Sequence, residues 1–567
     1  MDGIVAAVRQ VMANRALRRV AAGWLASVAS EWTFVVALLV SAHEFGGVVG
    51  VAAVTTARML PAALLAPVVA GLADRLPRAR VLLVVHVVRG ALVGVAAAGS
   101  AMSLPALVVA AAVVEGIAAV LNRPTTLSLQ PQLARSPGEL IAANAITSSG
   151  EAVGVLVGPA IGGILLAVGG APPAMLAGTL GFAAAALALL PIARDASGPT
   201  VRGWRHPAHA AAPGRAGYAT LLRYPSAWLL VALFTAQTLV RGAFTVLLVA
   251  ASIELLGLGR SGVGFLTASQ GAGALVGAVV AFGLVGGHRL AATFTVCLAL
   301  WGLPIALIGA LPAAAVAFVA LAVIGAANAL LDVAGFTLML RSVPDTLRTR
   351  LFGLFEALVG IAVTLGSLAA PLLVAGLGLP VALMSVGLLL PLLALVTATQ
   401  VARVQATTAV PDRDMGLVRG IPLFAPLSLA AQERVAAAMH PHSVAAGEAV
   451  VREGGVGDAY YAIVAGIAEV RRGDARLRTL GPGEAFGETA LVRDVPRTAT
   501  VRALEPLELR RLERAAFLEA IGGTPGSALE AERVAAAHLA ADPADGRRLD
   551  GRTADASIGS HGKDDQA

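Results

Sequence analysis

The chain has 567 residues, of which 57% are hydrophobic and 14% are charged, and its formal net charge is +7. Soluble globular proteins carry about 25% charged residues, so this composition indicates a membrane protein rather than a soluble domain. The single cysteine, Cys297, excludes an internal disulfide and a cysteine-based metal cluster, and no metal site is expected.

The charges are divided unevenly along the chain. Residues 1–405 hold 23 Arg, no Lys and 12 acidic residues, a balance of +11, whereas residues 406–567 hold 19 basic and 23 acidic residues, a balance of −4. The basic surplus therefore lies in the hydrophobic part of the chain. Membrane topology explains that distribution, so no nucleic-acid partner is expected.

Apolar stretches long enough to cross the roughly 30 Å hydrocarbon core of a bilayer recur through the first part of the chain. We predict twelve transmembrane helices, near residues 20–43, 49–71, 80–98, 104–121, 143–168, 173–191, 226–250, 262–285, 290–309, 313–332, 351–376 and 379–400. No cleavage site follows the first stretch, which predicts a retained anchor rather than a signal peptide.

The arginines predict the orientation of these spans. Of the 23 arginines in residues 1–405, 19 lie before the first span, after the last, or in alternate connections, while the opposite connections hold only Arg260. This asymmetry predicts a multi-pass protein of the cell membrane with both termini in the cytoplasm. The long connection 192–225 predicts two six-helix bundles.

The connection between the second and third spans reads AGLADRLPRARV, from Ala70 to Val81. It resembles the cytoplasmic loop signature of the major facilitator superfamily, with Asp74, Arg75 and Arg78 at the matching positions. The resemblance implies that these residues form and release contacts as a transporter changes conformation.

The fifth span contains GEAVGVLVGPAIGG, which resembles the Gly-Pro motif of exporters in the same superfamily. The matching residues are Gly154, Gly158, Pro159, Gly162 and Gly163. Glycines at this spacing allow close helix packing, and a proline frees a backbone carbonyl. Residues 1–403 as a whole resemble the bacterial drug and siderophore exporter branch, which implies secondary transport of a small-molecule substrate.

Several ionisable residues fall inside the predicted spans, where they usually face a cavity or a charged partner. These are Glu31, Arg58, Arg89, Glu115, Glu151, Arg241, Asp332 and Glu356. We predict that Glu31, Glu115 and Asp332 bind protons or substrate, with a structural ion pair as the open alternative for each. Arg89, Glu151 and Glu356 are expected near the cytoplasmic ends of their helices.

The character of the sequence changes after the last apolar stretch. Residues 404–416 are expected to form a polar linker, and 417–522 contain short alternating patterns punctuated by glycine, which predict strands. Residues 527–541 have a helical pattern that would complete a domain of 417–541, and the tail 542–567 has the composition of a disordered segment.

This C-terminal region carries FGETALVRDVPRTATV, from Phe486 to Val501, after IPLFAPLSLAAQERVAAAM and AAGEAVVREGGVGDAYYAIVAGIAEV. Together these segments resemble the cyclic nucleotide-binding domain. The resemblance implies a jelly-roll-like β-roll with flanking helices, and residues 527–541 as a lid. The implied nucleotide-contacting residues are Gly487, Glu488, Thr489, Ala490, Arg497, Thr498 and Ala499.

These residue types suit a cyclic phosphate, which is a monoanion. A guanidinium and backbone N–H groups bind such an anion, so Arg497 and the turn at Gly487 are the expected partners. Glu488 can accept a hydrogen bond from a ribose hydroxyl. Cyclic AMP or cyclic GMP is therefore the expected regulatory ligand, and a purely structural β-roll is the alternative.

The combination predicts a proton-coupled transporter, directed outward, whose activity a cytoplasmic cyclic nucleotide modulates. The alternative is a transport-inactive receptor that signals nucleotide occupancy. A channel is disfavoured because the sequence shows no selectivity-filter-like loop between spans. An enzyme is disfavoured because it shows neither a phosphate-binding loop nor a nucleophile–base set.

Overall fold

The computed structural model describes residues 11–73, 76–135, 137–195, 224–284, 289–343, 345–408, 412–427 and 429–522. The chain divides into two compact units, Met1–Thr408 and Ala409–Ala567. Of the predicted features, Asp74, Arg75, the helix 527–541 and the tail 542–567 lie outside the described residues.

The first unit is helical. Its helices are α1 (Arg15–Ala73), α2 (Arg78–Ala101), α3 (Pro105–Ala119), α4 (Asn122–Leu133), α5 (Pro137–Gly169), α6 (Ala171–Asp195), α7 (Pro225–Ala250), α8 (Gly259–Leu284), α9 (Leu290–Ala310), α10 (Ala314–Arg341), α11 (Asp345–Leu377) and α12 (Leu379–Thr408). Within the described part of the chain, eleven helices are long and apolar enough to cross a membrane. The prediction of a multi-span helical protein is confirmed.

The first of these candidate spans, Arg15–Ala66, is 52 residues long. A continuous α-helix of that length would be about 78 Å long at 1.5 Å per residue, more than twice the hydrocarbon thickness. It is interrupted at Gly46 and Gly47, whose backbone angles are not helical. Dividing α1 there separates the two predicted spans 20–43 and 49–71, and the total of twelve stays a prediction.

The glycines of the fifth span let α5 approach two other helices. A Cβ on Gly154 would lie 2.5 Å from the side chain of Val28 in α1, and a Cβ on Gly264 in α8 would lie 2.5 Å from the backbone of Gly163. The close approach predicted from these glycines is therefore present. Because α5 packs on α8, and α1 on α11, these pairs join the first six helices to the last six.

Pro159 lies inside the continuous helix α5. The hydroxyl of Thr33 in α1 donates a hydrogen bond of 2.8 Å to the carbonyl oxygen of Gly158, beside the proline. This hydrogen bond joins α1 to α5 beside the proline, and polar contacts of this kind support helix association in a membrane.

The polar linker predicted at 404–416 is largely helical. Helix α12 continues to Thr408, and α13 (Asp412–Gly420) begins four residues later. The strands predicted from residue 417 begin only at His440, because α13 and α14 (Leu429–Ala438) occupy the segment before it. Alternating apolar residues in this segment pack α13 and α14 into the domain core, through residues such as Val418 and Val435, rather than forming a pleated strand.

The second unit contains two four-stranded antiparallel sheets. Its strands are β1 (His440–Val444), β2 (Ala449–Val451), β3 (Ala459–Ala465), β4 (Ala468–Arg472), β5 (Ala475–Leu480), β6 (Ala485–Phe486), β7 (Thr500–Ala503) and β8 (Leu507–Glu513). The strand orders are β1-β8-β3-β6 and β2-β7-β4-β5. Helices α15 (Glu488–Arg493) and α16 (Arg514–Gly522) complete the unit, so the predicted β-roll with flanking helices is confirmed.

Buried aromatic rings join the helices of this unit to its first sheet. Phe424, Tyr460 of β3 and Phe517 of α16 lie with ring centroids 4.9–6.3 Å apart. Aromatic contacts of this kind add about 0.5–1.5 kcal/mol each to the burial of their surface. They hold β3 against the helices of this unit.

Candidate functional site

Arg497 lies between α15 and β7, with only 4% of its surface exposed. Its Nη2 donates to the carbonyl oxygen of Ala459 at 2.6 Å and to the Asp458 carboxylate at 3.1 Å. Its Nη1 donates to the carbonyl oxygen of Gly487 at 3.2 Å. The backbone N–H of Arg497 donates to Gly455 at 2.8 Å, so both ends of this residue are held.

The Nε of Arg497 is buried and has no hydrogen-bond partner among the described residues. An unpaired N–H on a buried guanidinium is unfavourable, because the charge has lost its water without gaining an acceptor. The two Nη groups position the guanidinium, while Nε keeps one donor for an acceptor that is not part of the described chain. That is the donor arrangement an anionic ligand requires.

The predicted turn residues lie against this guanidinium. Gly487 has φ of +99° and precedes α15, which starts with the buried residues Glu488, Thr489 and Ala490. The Thr489 hydroxyl donates to Glu488 Oε1 at 3.1 Å. Burial, and then the negative charge of Glu488, raise the pKa of Tyr460 well above its ordinary value.

Thr498 and Ala499 follow Arg497 into β7 and are half-buried. The Thr498 carbonyl oxygen accepts a hydrogen bond of 3.0 Å from Arg472 Nε of β4. The structure therefore brings Arg497 into contact with Gly487, and the other predicted residues lie beside these two in the chain, in the first turn of α15 and just before β7.

Asp458 is a site residue that the sequence reasoning missed. It accepts hydrogen bonds of 3.1 Å from both Arg497 and Arg511. Although burial alone raises the pKa of its carboxyl, hydrogen bonds from its own backbone and from Arg497 hold that pKa below its ordinary value. The sequence feature that could have identified Asp458 is its position as an acidic residue between the glycine-rich turn and the apolar strand β3.

Inside the first unit, two arginines and two glutamates from α1, α2 and α3 form a charge cluster. Arg58 Nε donates to Glu115 at 3.0 Å, and Arg89 donates to Glu115 at 2.7 and 2.8 Å. Glu31 contacts Arg89 at 2.9 Å and Arg58 at 3.4 Å. Glu31 and Glu115 are thus engaged in ion pairs in this conformation, the alternative that the sequence left open.

Arg89 corrects one expectation. It was placed near a cytoplasmic helix end, but it lies midway along α2, is fully buried, and has its guanidinium 4.5 Å from the Phe182 ring centre. Its long side chain pairs with an acid on the neighbouring helix, which offsets the cost of burying its charge. The apolar sequence around Arg89 gave no sign of that partner.

Asp332 lies on α10 and takes part in none of the contacts described above for the charge cluster. Its carboxylate accepts a hydrogen bond of 3.0 Å from Asn328, whose side-chain oxygen accepts one of 2.9 Å from Trp301 Nε1. The third predicted coupling residue is therefore half-buried beside neutral hydrogen-bonding partners, with no direct ion pair described for it.

Two further contacts between ionisable side chains connect the first six helices to the last six. His43 Nε2 lies 3.2 Å from Glu254, and Glu44 lies 2.6 Å from Arg260 Nε. The first contact joins the middle of α1 to the connection between α7 and α8, and the second joins it to the first turn of α8. The isolated Arg260 of the sequence analysis is therefore one member of an inter-half pair.

Two family models match the chain. The Major Facilitator Superfamily matches residues 20–288, and the cyclic nucleotide-binding domain matches residues 441–522. The first match covers α1 to α8 and the second covers the β-roll from β1 to α16.

Curated relatives match the C-terminal region. The chain is 36% identical over 109 residues to a cAMP-dependent protein kinase regulatory subunit of Yarrowia lipolytica, covering 19% of this chain and 29% of the relative. It is 42% identical over 89 residues to a cGMP-dependent protein kinase of Plasmodium berghei, covering 16% and 10%. It is 40% identical over 100 residues to a cyclic nucleotide-gated potassium channel of Rhizobium etli, covering 18% and 28%.

The chain spans less than a third of the length of each of these relatives. Their similarity therefore concerns the β-roll, whereas residues 20–288 of the helical unit have their own family match. The chain combines a Major Facilitator Superfamily region with a C-terminal cyclic nucleotide-binding domain.

Proposed function

We propose that this chain is a secondary active transporter of small molecules in the cell membrane, and that cAMP or cGMP bound to its C-terminal domain modulates transport. The observation that carries the proposal is the buried Arg497, aligned by Gly487 and Asp458 and retaining an unpaired Nε, in the same chain as a transporter region.

The nucleotide site follows from the donors present. Arg497 would receive the cyclic phosphate through Nε, since its other nitrogens are already bound to Gly487, Asp458 and Ala459. Backbone N–H groups at the start of α15 add donors to the anion. The Glu488 carboxylate would accept a hydrogen bond from the ribose hydroxyl.

The relatives' names include both cAMP-dependent and cGMP-dependent kinases. Thr498 follows the arginine, a position where cGMP-preferring members of the resembled family often carry Thr and some cAMP-binding members do too. We propose cyclic AMP as the ligand because it is the more prevalent ligand of the resembled family, and cGMP is the alternative to be tested in parallel.

Regulation requires that the nucleotide bind the transporter's conformations with unequal affinity. The pairs Glu44–Arg260 and His43–Glu254 join the first six helices to the last six, and they would stabilise the conformation seen in this structure. We place both termini in the cytoplasm from the arginine distribution, so the nucleotide acts from inside the cell.

Outward transport and proton coupling are the finer parts of the proposal. The Gly-Pro packing of α5 against α1 and α8 supports the exporter branch. Asp332 supports coupling, because it is a half-buried carboxylate with no ion pair among the described residues, and such a group can take up and release a proton.

The test uses the full-length protein in proteoliposomes. We expect labelled cAMP or cGMP to bind with a dissociation constant in the micromolar range or below, and a dye panel of ethidium and carboxyfluorescein to reveal gradient-driven transport. Nucleotide binding without transport of any substrate would favour the receptor alternative, and transport without nucleotide binding would remove the regulatory part.

A further inference from the structure

The charge cluster of Glu31, Arg58, Arg89 and Glu115 has an uneven distribution of exposure. Glu115 and Arg89 have fully buried side chains and Arg58 is 7% exposed, whereas the Glu31 side chain is 30% exposed. A carboxylate facing lipid would be strongly unfavourable, so the exposed part of Glu31 is expected to face a water-filled space rather than lipid. Glu31 is thus the residue of the cluster with the largest solvent exposure.

The three inner residues do not balance their own charge. Arg58 and Arg89 carry two positive charges, and both donate to the single carboxylate of Glu115. One positive charge remains for Glu31, which contacts both guanidiniums. An uncompensated buried charge is strongly unfavourable, so this position must hold an anion at all times.

The guanidiniums are held in place independently of Glu31. Glu115 binds both, and the Arg89 guanidinium also lies 4.5 Å from the Phe182 ring centre. The stem of Arg58 passes over Gly116, where a Cβ would lie 2.7 Å from Arg58 Cγ. The two arginines therefore keep their geometry if the Glu31 side chain turns away.

One donor of the cluster also lacks an acceptor. Arg89 Nη1 is buried and has no hydrogen-bond partner among the residues that the structure describes. Glu31 contacts Arg89 through Nη2 in this conformation, whereas a carboxylate aligned with the plane of the guanidinium can accept two N–H bonds side by side.

From this arrangement we propose that Arg58 and Arg89 form a subsite for a carboxylate group of the transported molecule, and that Glu31 is the internal anion which the cargo displaces. The displaced Glu31 carboxylate moves into the water-filled space and remains solvated. The site stays neutral throughout, since the cargo carboxylate replaces the charge that Glu31 supplied. The proposal rests on the proposed transport function and names the chemical class of its substrate.

The experiment measures binding of benzoate to the purified full-length protein by calorimetry, with the uncharged benzamide as the matched probe. Both are measured at constant ionic strength, with chloride as the balancing anion. The wild type is expected to bind benzoate and not benzamide. Glu31→Gln removes the internal competitor while keeping the side chain's size, so it is expected to bind benzoate about tenfold more tightly, a change of about 1.4 kcal/mol.

Two further variants complete the design. Arg89→Lys keeps the charge but loses the two-pronged geometry, and it is expected to bind benzoate at least about tenfold more weakly. Glu505→Gln makes the same chemical change as Glu31→Gln at an exposed residue of the second unit, and it should leave benzoate binding unchanged.

Equal binding of benzoate and benzamide, absence of benzoate binding in both wild type and Glu31→Gln, or unchanged affinity in Glu31→Gln would each overturn the proposal. Because this measurement does not require transport, its failure is separate from failure of the transport function. A protein that moves dye in vesicles but ignores benzoate would contradict the carboxylate subsite alone.

Discussion

Arg497 and Gly487 fix each other's position. Arg497 Nη1 donates to the Gly487 carbonyl oxygen at 3.2 Å, and a Cβ on Gly487 would lie 2.6 Å from that same nitrogen. Gly487 also has φ of +99°, which L side chains rarely adopt. The turn before α15 therefore needs glycine for its backbone and for the arginine beside it.

Gly487→Ala should therefore reduce nucleotide affinity as well as stability. The matched control is Gly483→Ala, where φ is +88° and no atom lies within 4 Å of the added Cβ. Both variants should lose about 1–2 kcal/mol of unfolding free energy from backbone strain. Only Gly487→Ala should also weaken cAMP binding, by at least about tenfold, and equal nucleotide affinity in the two variants would contradict this role for Gly487.

Arg497→Ala should weaken binding of cAMP and cGMP by at least about a hundredfold, because the cyclic phosphate loses its one buried guanidinium. Arg478→Ala removes an exposed arginine from β5 and should leave the affinity within about twofold of wild type. Fluorescent nucleotide titration of each full-length protein measures both effects. Retained affinity in Arg497→Ala would show that the phosphate binds elsewhere.

Much of the fold was predictable from the sequence. Long apolar runs and glycine-punctuated short strands have periodicities that reflect burial directly, and they predicted the helical unit and the β-roll. The segment 417–438 was misread because apolar residues such as Val418 and Val435 are spaced ambiguously over such short helices.

The residues of the candidate nucleotide site lie close together in the sequence, from Gly487 to Ala499, so the sequence could propose them as a group. Asp458 was missed because its bond to Arg497 joins residues 39 positions apart. The four residues of the charge cluster were identified, but their pairing was not, for the same reason: Arg89 meets Glu115 only after α2 and α3 pack together. Contacts between distant residues leave no local pattern for sequence reading to detect.

Asp458 should give the nucleotide-binding domain a pH-dependent contribution to stability. Its pKa is below the ordinary value of 3.8 in the folded state, so its contribution is present above that pH and is lost as the pH falls below it. Asp458→Asn should lower the unfolding free energy at pH 7 by no more than about 1 kcal/mol, since the carboxylate is half-exposed.

Urea unfolding of residues 409–567, from pH 7 to pH 3, measures this difference. The gap between wild type and Asp458→Asn should be constant from pH 7 to about pH 5 and should close in more acidic solution. A gap that widens as the pH falls would contradict the assignment of a lowered pKa to Asp458.

Arg260→Gln should favour opening at the end of the bundle where α1 meets α8. The Glu44–Arg260 pair is partly exposed, so its loss should raise the open population by about two- to fivefold. The labelling rate of Ser261→Cys by an impermeant maleimide reports opening, because the native Cys297 is buried.

The control for that measurement is Arg123→Gln, which removes a pair with Glu151 inside the first six helices. Its labelling rate should match that of the Ser261→Cys parent. Equal acceleration by Arg123→Gln and Arg260→Gln would show that charge loss in general, rather than release of the inter-half pair, opens the protein.

Asp332→Asn should abolish the dependence of dye transport on a proton gradient, because an amide cannot exchange a proton in this pH range. Transport down a dye gradient should persist, since the Asn side chain keeps the hydrogen-bonding capacity that Asn328 uses. A gradient response equal to that of wild type would place proton coupling at another residue.

The most direct test of nucleotide-regulated transport is the initial rate of dye uptake into inside-out vesicles, measured with and without cAMP or cGMP. The wild type should change its rate by at least about twofold on adding nucleotide, while Arg497→Ala should transport at the nucleotide-free rate under both conditions. A wild-type rate that ignores bound nucleotide, or an Arg497→Ala rate that responds as the wild type does, would contradict the account.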